Sequence, residues 1–375
     1  MLTALFNTQI ISNGVITKGK AVLINGTRIT EVVDEDAIPQ DAERRDLQGA
    51  YIASGLLDLQ IYGAGGSLFG GIPTAEALHQ MEKTLLQEGC TGFFATVATN
   101  SDEVVLRAIE AAKAYRPKAI GTFMGLHLEG PFLNPIRKGA HPAEYIKKAT
   151  IAQLRHWIDH AQGEVKMVTI APELQDAEVL NWLGEQDIVV SAGHSDATYE
   201  QALSFFDKSI HAATHLFNAM PPMHHRQPGL IPAIFEARPY TSIVADGIHV
   251  NFAMIALAKR LLGNKLFLIT DAVTEASEGT YQHQLKGDRY VMPDGTLSGS
   301  ALTMLKAVQN CVEHVGIELV EAINMATLYP AQLAGLANKG KVERGYDADL
   351  LIFDAGFNTK FTICQGKTYD HSQLA

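Results

Sequence analysis

The stretch Asp187-Ile188-Val189-Val190-Ser191-Ala192-Gly193-His194-Ser195 decides how the chain is read. Its apolar, β-branched run has the length of a buried strand, and it closes on a glycine, an imidazole and a hydroxyl. A helix-like stretch, 197–206, follows at once. The same unit recurs on both sides. Apolar β-type runs occupy 51–60, 92–99, 120–128, 166–171, 187–192, 210–217, 240–246 and 265–270, and helix-like stretches occupy 75–88, 102–114, 150–161, 176–184, 197–206 and 252–262. Eight strands alternating with crossover helices predict an α/β fold, a closed (β/α)8 barrel of the TIM type. An open doubly wound sheet is the alternative. Gly63-Ala64-Gly65-Gly66 lacks the G-x-G-x-x-G spacing and opens no helix, so it reads as a loop and not as a dinucleotide site.

The two ends of the chain read differently. Ala21–Ile24, Asn25-Gly26 and Ile29–Val33 predict a hairpin with an Asn-Gly turn. Asp349–Phe353 and Lys360–Cys364 are short apolar strands, followed by a Gln365-Gly366 turn. Neither end buries a core alone. They are expected to join as one small β-sandwich domain, residues 1–51 with 340–375, around a barrel of residues 52–339.

Composition narrows the function. Of 375 residues, 47% are hydrophobic and 19% charged, a globular balance that excludes disordered and collagen-like classes. Asp and Glu outnumber Lys and Arg by 41 to 30, for a net charge of −11, so no nucleic-acid partner is expected. No apolar segment reaches the ~18 residues of a membrane span, so no membrane partner is expected either. The stretch MLTALFNTQIISNG does not read as a signal peptide. Three widely spaced cysteines, Cys90, Cys311 and Cys364, fit neither a disulfide framework nor a zinc-cysteine cluster, and the expected compartment is a reducing cytoplasm.

In a barrel enzyme the active site forms at the C-terminal ends of the strands. Those ends carry Asp58 and Gln60, His127-Leu128-Glu129, Glu173, Gly193-His194-Ser195, Thr214-His215 with Asn218, Asp246 with His249, and Thr270-Asp271. A lone histidine there is more often a hydrogen-bonded core residue. Glu129, His194 and His215, however, come from three strands and could converge on one divalent ion, since imidazoles and a carboxylate suit such ions. Asp271 closes the last strand, where a carboxylate needs a partner or a task. Beside a metal-activated water it could serve as general base and then general acid. Two basic loops, around Arg137-Lys138-Gly139-Ala140-His141 and His224-His225-Arg226, lie on the same side and point to an anionic substrate group such as a phosphate.

These motifs resemble the N-acetylglucosamine-6-phosphate deacetylase family of the amidohydrolase superfamily. The resemblance runs nearly end to end. It rests on Gly55-Leu56-Leu57-Asp58-Leu59-Gln60, His127-Leu128-Glu129-Gly130-Pro131-Phe132, Lys138-Gly139-Ala140-His141, Ser191-Ala192-Gly193-His194-Ser195-Asp196, Thr214-His215-Leu216-Phe217-Asn218-Ala219-Met220, Ala245-Asp246-Gly247-Ile248-His249, Thr270-Asp271-Ala272 and Gly299-Ser300-Ala301-Leu302-Thr303-Met304. The second and fifth of these are the most specific. The tail around Gly345-Tyr346-Asp347-Ala348-Asp349 resembles the return of amidohydrolases into their small β domain.

The resemblance implies hydrolysis of the acetamide of N-acetyl-D-glucosamine 6-phosphate in amino-sugar catabolism, by a homodimer. It implies Glu129, His194 and His215 as metal ligands and Asp271 as proton carrier. Ala140, His141, Asn218, Ala219, Arg226, Asp246 and His249 are then expected at the sugar phosphate, with Leu302, Thr303 and Met304 lining the pocket. Where many amidohydrolases open with His-x-His, this chain has Asp58-Leu59-Gln60. Glutamine is a weak ligand, so one divalent ion per chain is expected, zinc first, with iron, manganese and cobalt also compatible. A second departure is Thr270–Glu275, where a glycine-containing turn is expected and none stands, so that loop is open to a different shape. An N-acetylgalactosamine 6-phosphate deacetylase, or one for another N-acyl sugar phosphate, is the alternative. A non-catalytic binding barrel is the remote one.

Overall fold

A computed structural model describes residues 2–277 and 279–370. Its centre is an eight-stranded parallel sheet: β1 Leu56–Ile61, β2 Cys90–Ala98, β3 Phe123–Glu129, β4 Val165–Ile170, β5 Val189–Ala192, β6 Ala212–Ala213, β7 Tyr240–Val244 and β8 Leu266–Ile269. Each strand lies beside its neighbour in sequence. At the C-terminal rim the sheet returns on itself. Asp271 N donates to Gln60 O at 3.0 Å and Tyr62 N to Ala272 O at 2.9 Å. Eight helices follow the strands in turn: α1 Ala75–Gln87, α2 Asp102–Tyr115, α3 Ile151–Ala161, α4 Ala177–Gly184, α5 Tyr199–Phe206, α6 Leu230–Ala237, α7 Phe252–Leu262 and α8 Met304–Asn310. The chain is a (β/α)8 barrel, as the alternation predicts.

The local sequence explains these elements. All residues of β1, β2 and β8 are buried, because a parallel sheet wrapped in helices has no wet face. Helix α1 opens where Thr74 Oγ1 accepts from Ala77 N, and buries Leu78, Met81 and Leu85 on one stripe. Helix α5 opens on a capping box between Thr198 and Gln201.

Two predicted runs are cut by the tertiary structure. The run 51–60 is two strands in two sheets: Tyr51–Ser54 pairs with Leu350–Phe353, and only β1 enters the barrel. Gly55 is the crossing point, where a Cβ would stand 2.0 Å from Thr91 Oγ1. The run 210–217 keeps only Ala212–Ala213 as strand, because His215 and Phe217 adopt positive φ, 35° and 78°.

The chain ends meet in two further sheets. One, of four strands, orders Arg28–Asp34, Lys20–Asn25, Leu2–Phe6 and Glu43–Asp46; the other, of six, orders Lys367–Tyr369, Thr359–Cys364, Leu350–Phe353, Tyr51–Ser54, Gln9–Ser12 and Val15–Thr17. Leu5, Val22, Ile24 and Ile29 of the first share one core with Ile10, Ile52, Leu350, Ile352 and Ile363 of the second. The Gln365-Gly366 turn presses on the Asn25-Gly26 turn: a Cβ on Gly366 would lie 1.8 Å from Gly26 O. No helix among the described residues is long and apolar enough to cross a membrane.

Candidate active site

The inward-facing residues of the barrel become polar toward its C-terminal end. His127 Nε2 meets Thr169 Oγ1 at 2.7 Å, Thr169 Oγ1 meets Thr214 Oγ1 at 2.8 Å, and Ser191 Oγ meets Thr214 Oγ1 at 2.6 Å. Across the barrel, Asp58 Oδ2 accepts from Thr270 Oγ1 at 2.5 Å, and its Oδ1 accepts from the Gln60 and Thr270 amides. Burial pushes the Asp58 carboxyl up to about 7, against these hydrogen bonds. Burying these polar groups is made tolerable by the hydrogen bonds they share, although His127 Nδ1 has no partner.

Above this floor lie the candidate ligands. Glu129 is the last residue of β3, while His194 and His215 each stand two residues past a strand end. His194, His215 and Asp271 all take positive φ, 49°, 35° and 55°. These non-glycine residues sit in a disfavoured region, as strained active-site turns do. His215 Nε2 lies 3.1 Å from Glu129 Oε1 and 3.0 Å from His194 Nε2, and His194 Nε2 lies 3.4 Å from Glu129 Oε1. A tetrahedral ion with bonds of about 2.0–2.1 Å separates its ligands by about 3.4 Å, so this triangle has the dimensions of one face of a coordination shell. His194 Nδ1 is 2.8 Å from Arg137 O, which can only accept. The ring proton is therefore on Nδ1, and Nε2 presents a lone pair to the triangle. The donor set fits a divalent cation.

His141 offers a second, looser grouping. One ligand atom each of Glu129, His141 and His194 falls within 4.8 Å, and His141 Nε2 lies 3.2 Å from the other carboxylate oxygen, Glu129 Oε2. Tyr62 OH also hydrogen-bonds Glu129 Oε2. Burial would raise the Glu129 carboxyl, but His194, His141 and His215 hold it well below the usual carboxylate range. Burial raises Asp271, with the Glu129 charge adding to the rise and His215, His249 and His194 opposing it. Gln60 Nε2 bridges the two carboxylates, 3.0 Å from Glu129 Oε1 and 2.8 Å from Asp271 Oδ1.

A cavity of about 200 Å³ opens over this group. Among its lining residues are Glu129, Ala140, His141, His194, His215, Asn218, Ala219, His249 and Asp271, all expected from sequence. Gln60 lies just beneath. The structure places others elsewhere. Asp246 is not among the residues that line this cavity: its carboxylate accepts from Ile248 N, His249 N and His249 Nδ1, all within 2.8 Å, so it holds His249 in place. Leu302 and Thr303 line a separate cleft beside Gly65 and Glu88, and Met304 is buried in the barrel core. The 272–303 excursion folds so that Leu297, Ser298 and Gly299 reach the main cavity in their stead. Arg226 is exposed and lies outside the lining.

The sequence reading missed Tyr62, Tyr281 and His283, which also line the cavity. Tyr62 had a signal, since Asp58, Gln60 and Tyr62 alternate along one strand and must share a face. Tyr281 and His283 had none, because the excursion that carries them has no periodic pattern.

Known proteins resemble this chain over almost its whole length. The model of the amidohydrolase family matches residues 55–369. N-acetylglucosamine-6-phosphate deacetylase of Haemophilus influenzae is 34% identical over 98% of this chain and 99% of its own. The enzyme of the same name from Bacillus subtilis is 32% identical over 95% and 94%. The crystal structure of N-acetylglucosamine-6-phosphate deacetylase from Pasteurella multocida superposes with a TM-score of 0.95 at 32% identity, covering 99% of this chain and 100% of that one. A mutant of the Mycobacterium smegmatis deacetylase in complex with N-acetyl-D-glucosamine-6-phosphate superposes with a TM-score of 0.90 at 27% identity, covering 98% of each. The chain belongs to the amidohydrolase family, a family of metal-dependent enzymes, and within it to the N-acetylglucosamine-6-phosphate deacetylases.

Proposed function

We propose that this chain hydrolyses the acetamide of N-acetyl-D-glucosamine 6-phosphate to D-glucosamine 6-phosphate and acetate. The observation that carries this reading is the meeting, at one cavity, of the Glu129, His194 and His215 triangle with the Asp271 carboxylate, bridged to it through Gln60.

Glu129, His194 and His215 would hold one divalent ion, zinc first, with iron, manganese and cobalt also compatible with the donor set. That ion supplies Lewis-acid polarisation of the amide carbonyl and acidification of water. The rest falls to the chain. Asp271 takes a proton from the attacking water and returns it to the departing amine. Burial raises its proton affinity, which suits a group that must both accept and release. His141 Nε2 faces the triangle and is placed to donate to the developing oxyanion. His249, held through Nδ1 by Asp246, turns Nε2 toward the sugar phosphate, beside Asn218 and Ala219. Gln60 aims N–H groups at two carboxylates, which supports one ion rather than two, since a second cation there would meet a donor. Exposed Arg226, outside its own cavity, would serve the site of a second copy in a homodimer. The three cysteines are buried and free, which fits the cytoplasm.

The test is release of acetate from N-acetylglucosamine 6-phosphate by metal-analysed protein, with and without chelator. Chelator-sensitive release with about one ion per chain is the expected result. Faster turnover of the galactosamine epimer would replace the substrate. Metal binding without hydrolysis of any N-acetyl sugar phosphate would leave a binding barrel.

A further inference from the structure

The main cavity is polar around the triangle but apolar along one side. Tyr62, Ala98 and Val273 form a buried cluster with Tyr281, and Leu68 packs against them. Tyr62, Leu68, Gly70, Ala98 and Val273 all line the cavity. This apolar lobe lies directly beside the reacting groups. Ala98 pairs in register with Glu129 across β2 and β3. Residues in register on parallel strands point to the same face, so the Ala98 methyl and the Glu129 carboxylate both face inward. Val273 stands two residues past Asp271, and the Tyr62 hydroxyl bonds Glu129.

A short two-stranded turn closes the lobe. Gly63–Ala64 pairs with Ser67–Leu68, and Phe69 N donates to Tyr62 O at 2.9 Å. The turn rests on the end of β2: a Cβ on Gly70 would meet Thr96 O at 3.4 Å and Ala98 N at 3.7 Å. The place of the lobe on the barrel gives it a task. The strands run in order around a ring of eight, so β2 stands opposite β6. Ala98 ends β2, whereas Asn218 and Ala219, assigned above to the sugar phosphate, follow β6. A secondary amide is planar and trans, so its acyl carbon chain points away from the sugar carbon on the nitrogen. With the sugar drawn toward β6 and the carbonyl carbon held between the triangle and Asp271, the methyl group falls on the β2 side.

We infer that Tyr62, Leu68, Ala98 and Val273 form the acyl pocket of this enzyme, and that Ala98 sets its depth and so restricts the removed acyl group to a short, uncharged, aliphatic one. This rests on the function proposed above. None of the four side chains is charged, and the Tyr62 hydroxyl is engaged by Glu129 and Gln60, so the lobe offers an acidic acyl group nothing in place of water. A methyl group gains by leaving water for such a wall.

The test compares kcat/KM for the N-formyl, N-acetyl and N-propionyl forms of glucosamine 6-phosphate, in metal-loaded wild type and two variants. The ratio of two such values on one preparation does not depend on how much of it is folded, so a destabilised variant stays readable. Ala98→Val adds two methyl groups to the wall beside Glu129. It should lower acetyl relative to formyl by about 10–200-fold, the range for one methylene in an apolar pocket. Leu68→Ala opens the lobe from the turn, outside the barrel strands, and should raise propionyl relative to acetyl by about tenfold or more. It decides alone if Ala98→Val is inactive on all three substrates. Ratios within about twofold of wild type in the active variants would overturn the acyl pocket. A wild type inactive on all three overturns the deacetylase reading and the pocket with it, whereas an active wild type whose variants keep its ratios overturns the pocket alone.

Discussion

Nε2 of His194 and Nε2 of His215 face each other across 3.0 Å. Because Arg137 O takes the Nδ1 proton of His194, the facing atom of that ring is a lone pair, and Glu129 Oε1 adds a formal charge 3.1 Å from the other ring. With a lone pair, a carboxylate oxygen and a second imidazole nitrogen so close together, the group is suited to share a cation.

Replacing either ring should therefore empty the site. His194→Asn and His215→Asn are each expected to weaken metal binding by more than the ~10–100-fold that loss of a supporting hydrogen bond costs. Metal analysis after dialysis against a weak chelator measures this. Full retention of metal by His194→Asn would remove it from the ligand set and favour His141.

Asp271→Asn should keep the metal and lose turnover by ~10³-fold or more, the scale of general acid–base effects. The amide can still accept the Gln60 hydrogen bond but cannot carry a proton. Near wild-type kcat in a metal-loaded Asp271→Asn enzyme would sink the proton-carrier role.

Asp246→Asn tests the support of His249. Burial would raise the Asp246 carboxyl, but the hydrogen bond and charge of His249 hold it below its usual range. Asparagine can still accept from the Ile248 and His249 amides through its oxygen, yet it turns an N–H toward His249 Nδ1. The charge-assisted bond that orients the ring is then lost, and kcat/KM should fall by about 10–100-fold, the worth of a charged hydrogen bond. Steady-state kinetics on the sugar phosphate, with metal content unchanged, would show it.

Asp58 makes a prediction about stability and pH. Its folded value is about 7, raised from 3.8 chiefly by burial. Between these values the folded chain holds a proton that the unfolded chain has released. The proton count is higher in the native state, so this contribution to stability is complete below about pH 4 and is lost as pH rises toward 7. Asp58→Asn lacks it. Urea unfolding should show the wild type losing ground to Asp58→Asn from pH 4 to 7, with a constant gap above. A gap that widens in the opposite direction would contradict the buried-acid account.

Much of the barrel was legible because its signal is local. Buried parallel strands must be continuous apolar runs, and the helices between them must carry one apolar stripe, so eight alternations sufficed. The ligand candidates were legible for a similar reason: polar residues recur at the same end of successive apolar runs. Helices α6 and α8 and the true limits of β1 and β6 were not legible. Gly55 turns one run into two strands because of Thr91, which is distant in sequence, and β6 ends early because His215 turns left-handed into the cavity.

What the sequence determined by itself was thus the kind of fold, the end of it where polar groups gather, and Glu129, His194, His215 and Asp271 as candidates, which the fold brings to one cavity. Only the tertiary structure decided how these atoms meet. Asp246 stands behind His249, and Leu302, Thr303 and Met304 lie away from the main cavity. Tyr62 and Tyr281 moved in behind Glu129 and His141. The physical reason is range. Periodicity and strand-end polarity act over a few residues, whereas a hydrogen bond from residue 281 to residue 141 depends on where a patternless excursion lands once the barrel has closed.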